Sequence, residues 1–218
     1  MSKALLGKLL AEGIGTFALV FCGTGAIVID HLQNGVITHL GIALTFGLIV
    51  TAMIYATGEK SGAHLNPAVS LAFWAAGKFP GREVFPYALA QILGGTLASL
   101  LLRLLFPETP TLGETLPAGG VGQSFVLEVV LAFFLMFVII QVATGSKEVG
   151  IMAGLAIGLT VLLEALFAGP VTGASMNPAR SLAPALVMGN FKHLWIYLLA
   201  PVTGALLGIL AWRGIQST

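Results

Sequence analysis

The chain has 218 residues, 57% hydrophobic and only 9% charged, with a mean hydropathy of +0.98. Average soluble domains are about 25% charged, so neither a water-soluble globule nor a disordered chain fits. Ten Lys and Arg against nine Asp and Glu leave a formal charge of +1, which gives no basic field for a nucleic acid. The single cysteine, Cys22, excludes a disulfide framework or a Cys-based zinc site. An integral, glycine-rich membrane protein remains.

A helix crosses the hydrocarbon core with about 20 mostly apolar residues. Six such spans are predicted in chain order: about Leu5 to Ile29, Val36 to Thr57, Arg82 to Phe106, Gln123 to Thr144, Val149 to Ala168 and His193 to Trp212. The first carries Glu12 and no small-residue cleavage site, so it reads as a retained span rather than a signal peptide. Two further apolar stretches, Ser61 to Gly77 and Gly173 to Gly189, are too short to span. Each has Asn followed by Pro, at Asn66-Pro67 and Asn177-Pro178. Asn is a good helix N-cap, and Pro suits the first helical turn, where its missing N–H would be unpaired anyway. Both stretches are therefore predicted to be re-entrant half-helices, tolerated where irregular backbone is buried in protein or lines water.

The basic residues predict orientation. With a cytoplasmic N-terminus, Lys3, Lys8, Lys60, Lys78, Arg82, Lys147 and Arg213 lie inside, seven of the 10 Lys and Arg. That asymmetry places both termini in the cytoplasm, of a plasma or inner membrane.

The chain reads as one channel domain built from two versions of one unit, about 1–110 and 120–218. SGAHLNPAVS from Ser61 returns as TGASMNPARS from Thr172, and Tyr87, Leu89, Ala90, Gly94 and Leu97 match Tyr197, Leu199, Ala200, Gly204 and Leu207. The first and fourth spans each carry one early glutamate, Glu12 and Glu128. An odd number of spans per half inverts one half against the other, with the site expected where the repeats meet near midplane.

On these residues the chain resembles the aquaporin, or major intrinsic protein, family. The motifs that carry the resemblance are the paired Asn66-Pro67-Ala68 and Asn177-Pro178-Ala179, with Arg180 following. GLIVTAMIYATG, AGPVTGASMNPARS and LWIYLLAP are most similar to the nodulin-like intrinsic proteins, which include glycerol and metalloid hydroxide channels. The resemblance implies an all-helical membrane fold of six spans and two half-helices, a homotetramer in the lipid bilayer, and passage of water and small neutral solutes.

Half-helices meeting at their N-termini bring two positive dipole ends to one point, where Asn66 and Asn177 would each offer an amide donor to the pore. That an arginine and half-helix dipoles exclude protons and cations is the accepted account of aquaporin-type pores, carried over to this chain by the resemblance. Arg180, a permanent cation with a rigid fork of donors, would guard the pore. By register, Phe46 matches the family's aromatic filter position, Ala165 the site that holds His in water-selective members, and Ala174 the small or aromatic third site. Two methyl-sized side chains predict a wider, less polar opening that passes glycerol and the boric, silicic and arsenous acid class.

The alternatives are a largely water-selective pore and an inverted-repeat secondary transporter, which also uses broken helices. Glu12 and Glu128 would brace the re-entrant loops. Glu164 has no repeat partner; it either tunes the filter wall or packs at a subunit contact. His64 would line the cytoplasmic entrance or serve as a hydrogen-bonded structural group. His31, His39 and His193 read as loop-end residues. No metal-ligand spacing, nucleophile–base pair or phosphate-binding glycine motif occurs, so no catalytic residue, metal, cofactor or enzyme activity is expected.

Overall fold

The computed structural model describes residues 2–216. Among these, the regular elements are α-helices: α1 (Lys3–Leu32), α2 (Thr38–Ser61), α3 (Pro67–Ala75), α4 (Gly81–Leu105), α5 (Val121–Thr144), α6 (Lys147–Ile151), α7 (Ala153–Thr172), α8 (Pro178–Met188) and α9 (Leu194–Gln216). Six of them, α1, α2, α4, α5, α7 and α9, are long and apolar enough to cross a membrane. The short α3 and α8 begin at Pro67 and Pro178, as the Asn-Pro pairs predict. In each, the Asn Oδ1 accepts the N–H two residues on, from Ala68 at 2.9 Å and from Ala179 at 3.0 Å.

The fifth span differs from expectation. Val149 falls in α6, and the spanning helix α7 starts only at Ala153. Ser146 caps α6 through its Oγ, which accepts the Val149 N–H, and Met152 then leaves helical geometry at φ −89°, ψ 0°. A local cap and one turn residue divide what hydropathy reads as continuous.

Long side chains such as Leu10, Ile14, Leu93 and Leu104 point outward, which suits a surface solvated by lipid tails. Small residues allow the helices to meet. A methyl group at Gly94 of α4 would collide with the Gly13 carbonyl of α1, and one at Gly204 of α9 with the Val129 carbonyl of α5. Such small-residue contacts let backbones approach closely where lipid removes the hydrophobic drive for association. The glycines matched between the two halves thus serve crossings within the chain. Gly94→Ala is expected to destabilise the fold by roughly 1–3 kcal/mol, the usual cost of overpacking. Gly122→Ala, where a methyl meets nothing within 4 Å, is the neutral control; thermal unfolding in detergent compares the two.

Both α2 and α7 end on a left-handed glycine, Gly62 at φ 88° and Gly173 at φ 85°, as helix C-caps commonly do. The chain then turns back toward the interior through Ala63, Leu65, Ala174 and Met176, all at positive φ. Non-glycine residues avoid that region, so these loops need outside support.

Candidate functional site: the central pathway

The support comes from two fully buried glutamates. Glu12, on α1, accepts the backbone N–H of His64 at 2.9 Å and of Leu65 at 2.7 Å. Glu128, on α5, accepts those of Ser175 and Met176, both at 2.8 Å. Each carboxylate has one more side-chain donor: Gln91 Nε2 at 2.7 Å for Glu12 and Thr172 Oγ1 at 2.7 Å for Glu128. Tyr87 and Tyr197 donate to the carbonyls that end α2 and α7, Ser61 at 2.9 Å and Thr172 at 2.8 Å. The matched tyrosines were visible in the sequence without a role. Gln91, whose counterpart 110 positions on is Pro201, left no signal there.

The half-helix N-termini are stitched across the centre. Asn66 Nδ2 donates to Met176 O, and Asn177 Nδ2 to Leu65 O, each at 2.8 Å. An Asn amide has two N–H donors. One on each side is thus committed to the opposite loop, which leaves one for the lumen that both residues line. Pro67 and Pro178 open the two helices, and Ala68 and Ala179 behind them are buried, 2% and 0% exposed.

Two cavities meet along this pathway. One of about 750 Å³ opens on the side of the chain termini, past Glu59, Ser146 and Lys147. Another of about 470 Å³ opens on the far side, past Asp30, Thr111 and Glu114. Four residues line both: Phe46, Ala165, Ala174 and Arg180. These are the positions that the family register singled out, drawn from α2, α7, the second re-entrant loop and α8. Arg180 is 3% exposed; its NH1 donates to Gly113 O at 2.6 Å, and its guanidinium carbon lies 5.1 Å from the centre of the Phe46 ring. The Arg180 Nε is buried with no hydrogen-bond partner among the described residues. The loop supplying Gly113 is itself held, through Thr115 Oγ1 donating to Ser181 Oγ at 2.7 Å. Phe46 lays the face of its ring on Gly23 of α1, where any side chain would meet it. Gly23 therefore sets how far Phe46 stands back from the lumen.

His64 does two things at once. It lines the larger cavity, and it sits in an aromatic box, stacked on Phe73 with centroids 4.7 Å apart and flanked by Phe79 and Tyr87. Its Nδ1 is 3.0 Å from Ser70 Oγ. Glu164 lines neither cavity. It is 6% exposed, its carboxyl oxygens have no hydrogen-bond partner among the described residues, and it directly precedes Ala165 in α7. His31, His39 and His193 all lie at helix ends, and His39, in the first turn of α2, also lies against α7 and lines the smaller cavity.

A bundle of six spanning helices, with two half-helices meeting at the centre of a mostly apolar pathway that opens on both sides, defines a membrane channel scaffold. The family described as Major intrinsic protein matches residues 1–212. The chain is 50% identical over 219 residues to "Aquaporin NIP1-1" of Zea mays, covering 100% of this chain and 78% of that protein. It is 47% identical over 226 residues to "Aquaporin NIP3-1" of Arabidopsis thaliana, covering 100% and 70%. Among solved structures, the aquaglyceroporin from Plasmodium falciparum superimposes with a TM-score of 0.88 at 25% identity, covering 97% of each chain. The chain belongs to the major intrinsic protein family, and it is a multi-pass membrane channel for water and small solutes, not an enzyme.

Proposed function

We propose that the channel conducts water together with small uncharged hydroxylated solutes, glycerol and the boric, silicic and arsenous acid class, while excluding protons and ions. One observation carries this reading: the residues common to both cavities are one phenylalanine, two alanines and one arginine. Two methyl groups take little room, and Arg180 supplies a fixed charge that disfavours cations and donors that suit a solute oxygen. Relatives named as aquaporins of the nodulin-like branch and a structural neighbour named as an aquaglyceroporin support the same reading. In this reading Asn66 and Asn177 hold the permeant file at the centre, and Phe46, Ala165, Ala174 and Arg180 form the filter. Glu12 and Glu128 brace the loops, and His64 is a structural wall of the entrance. Glu164 stands behind the filter without touching solute. Halves 1–110 and 120–218 form the inverted repeat. Both termini face the cytoplasm of the cell membrane, by the excess of basic residues on that side, and four copies assemble, each enclosing its own pore.

Stopped-flow light scattering of proteoliposomes under sucrose, glycerol, boric acid and arsenous acid gradients tests it. Fast water flux accompanied by unsaturable solute flux is expected. Water flux alone returns the chain to the water-selective class, and solute flux that saturates or requires an ion gradient makes it a transporter.

A further inference from the structure

The smaller cavity, outermost in the orientation proposed above, contains a polar group outside the four filter positions. His39 stands in the first turn of α2, exposed and lining this cavity. Its place is built from three sides. Asp30 Oδ1 accepts the N–H of Ile37 at 2.9 Å and of Thr38 at 2.7 Å, which fixes the turn leading into α2. Gly169 of α7 leaves room for the ring; a methyl there would come within 2.8 Å of His39 Cε1. The third support follows from Pro170. Inside a helix, Pro removes the N–H that would bond the carbonyl four residues back, here Leu166 O in α7. His39 Nε2 lies 2.6 Å from that oxygen.

A carbonyl only accepts, so His39 Nε2 carries the hydrogen and donates. In the neutral ring the other nitrogen is then an acceptor. Among the described residues Nδ1 has no hydrogen-bond partner, and it belongs to an exposed side chain on the cavity wall. The polar side chains sharing this wall are Asp30, Thr111, Glu114 and Arg180. Asp30 Oδ1 is committed to the turn, and Glu114 Oε2 accepts from Thr111 Oγ1 and the Leu112 N–H. That leaves one oxygen of each carboxylate as a further acceptor, while Arg180 offers only donors. Of the acceptors on this wall, His39 Nδ1 belongs to the ring bonded to α7, the helix that carries Ala165. A hydroxylated solute needs an acceptor for its O–H as well as a donor for its oxygen.

We propose that His39 is a specificity-determining residue of the outer cavity: its Nδ1 accepts a hydroxyl of the entering solute, while the Nε2–H bond to Leu166 O locks the ring beside the filter residue Ala165. The inference rests on the reading of the channel as permeable to hydroxylated solutes. A site built to accept a substrate hydroxyl distinguishes solutes by about one hydrogen bond. It acts on glycerol and boric acid more than on water, which can turn either way and finds partners elsewhere in the file.

The same proteoliposome assay, run on the full chain with glycerol and boric acid, tests the role. H39F removes both ring nitrogens while keeping a ring in the space beside Gly169. It is expected to lower the solute-to-water permeability ratio about threefold to tenfold, the equivalent of one net hydrogen bond. Because H39F also strands Leu166 O, the decisive comparison is H39F/P170A against P170A. Replacing Pro170 by alanine restores the helix N–H to that carbonyl, so the double variant regains thermal stability without regaining an acceptor. A ratio that stays low in the double variant supports recognition by Nδ1. A ratio that recovers there, or that H39F never changes, makes His39 a strut alone and overturns the proposal. Failure of the wild-type chain to pass either solute would bring down the broader reading as well. Wild-type solute flux with an unchanged H39F ratio brings down only the role of His39.

Discussion

Ala165→His is expected to reduce glycerol and boric acid permeability by tenfold or more while water flux persists. Ala165 and Ala174 contribute the small side chains of the four residues common to both cavities. An imidazole at position 165 would extend from α7 into space bounded by Phe46 and Arg180, narrowing it and adding a polar edge. Water is small enough to pass and can bond to the new ring, whereas a solute with several hydroxyls would have to shed partners it cannot replace there. A tenfold loss corresponds to about 1.4 kcal/mol of added barrier, modest for a side chain placed directly in the path. Parallel water and glycerol traces from one vesicle preparation give the answer. Equal retention of both fluxes would mean that the narrowest point lies elsewhere, for instance between Asn66 and Asn177.

Glu128→Ala is expected to abolish folding of the channel rather than to change its selectivity. The side chain accepts the Ser175 N–H, the Met176 N–H and the Thr172 hydroxyl, and these lie in a fully enclosed part of the bundle. Each buried donor left without an acceptor costs about 1–3 kcal/mol. The sum, roughly 3–9 kcal/mol, is comparable with the whole stability of an ordinary domain, about 5–15 kcal/mol. Met176 and Ala174 also hold positive φ, a strained conformation that persists only when its surroundings enforce it. Glu128→Gln keeps one acceptor oxygen and should fall between the alanine variant and the wild type. Yield, size-exclusion profile in detergent and thermal unfolding rank the three. An alanine variant as stable as the wild type would show that Tyr197 and the Asn177 cross-link suffice to hold the loop.

Much of the pathway was legible in the chain because it rests on local chemistry repeated twice. Asn favours a helix N-cap and Pro its first turn, and two such pairs in apolar, charge-poor surroundings point to half-helices. The two glutamates stood out because an acid in a membrane span is costly, and their equivalent positions in the halves pointed to a shared task. The break before α7 was hidden, since hydropathy averages over the cap at Ser146 and the turn at Met152 that end α6. His39 was hidden for another reason: its partner is a backbone carbonyl 127 residues away, and backbone carbonyls have no identity in sequence. Pro170 was the one available signal, marking Leu166 O as an acceptor without a helical donor.

By itself, then, the sequence determined that this protein lives in a membrane, that it is helical, and that two half-helices begin at Asn66-Pro67 and Asn177-Pro178. Burial of apolar surface, helix capping and proline geometry act over a few residues and need no knowledge of the rest of the chain. Only the tertiary structure decided which amide hydrogens Asn66 and Asn177 spend on each other's loops. It also decided that Phe46, Ala165, Ala174 and Arg180 bound both cavities, and that His39 closes the gap left by Pro170. Those relations join positions far apart in the chain, and they exist because membrane interiors leave no backbone donor or acceptor to water. Each unsatisfied group had to find a partner in another helix, and where those partners met, the lumen took its shape and its chemistry.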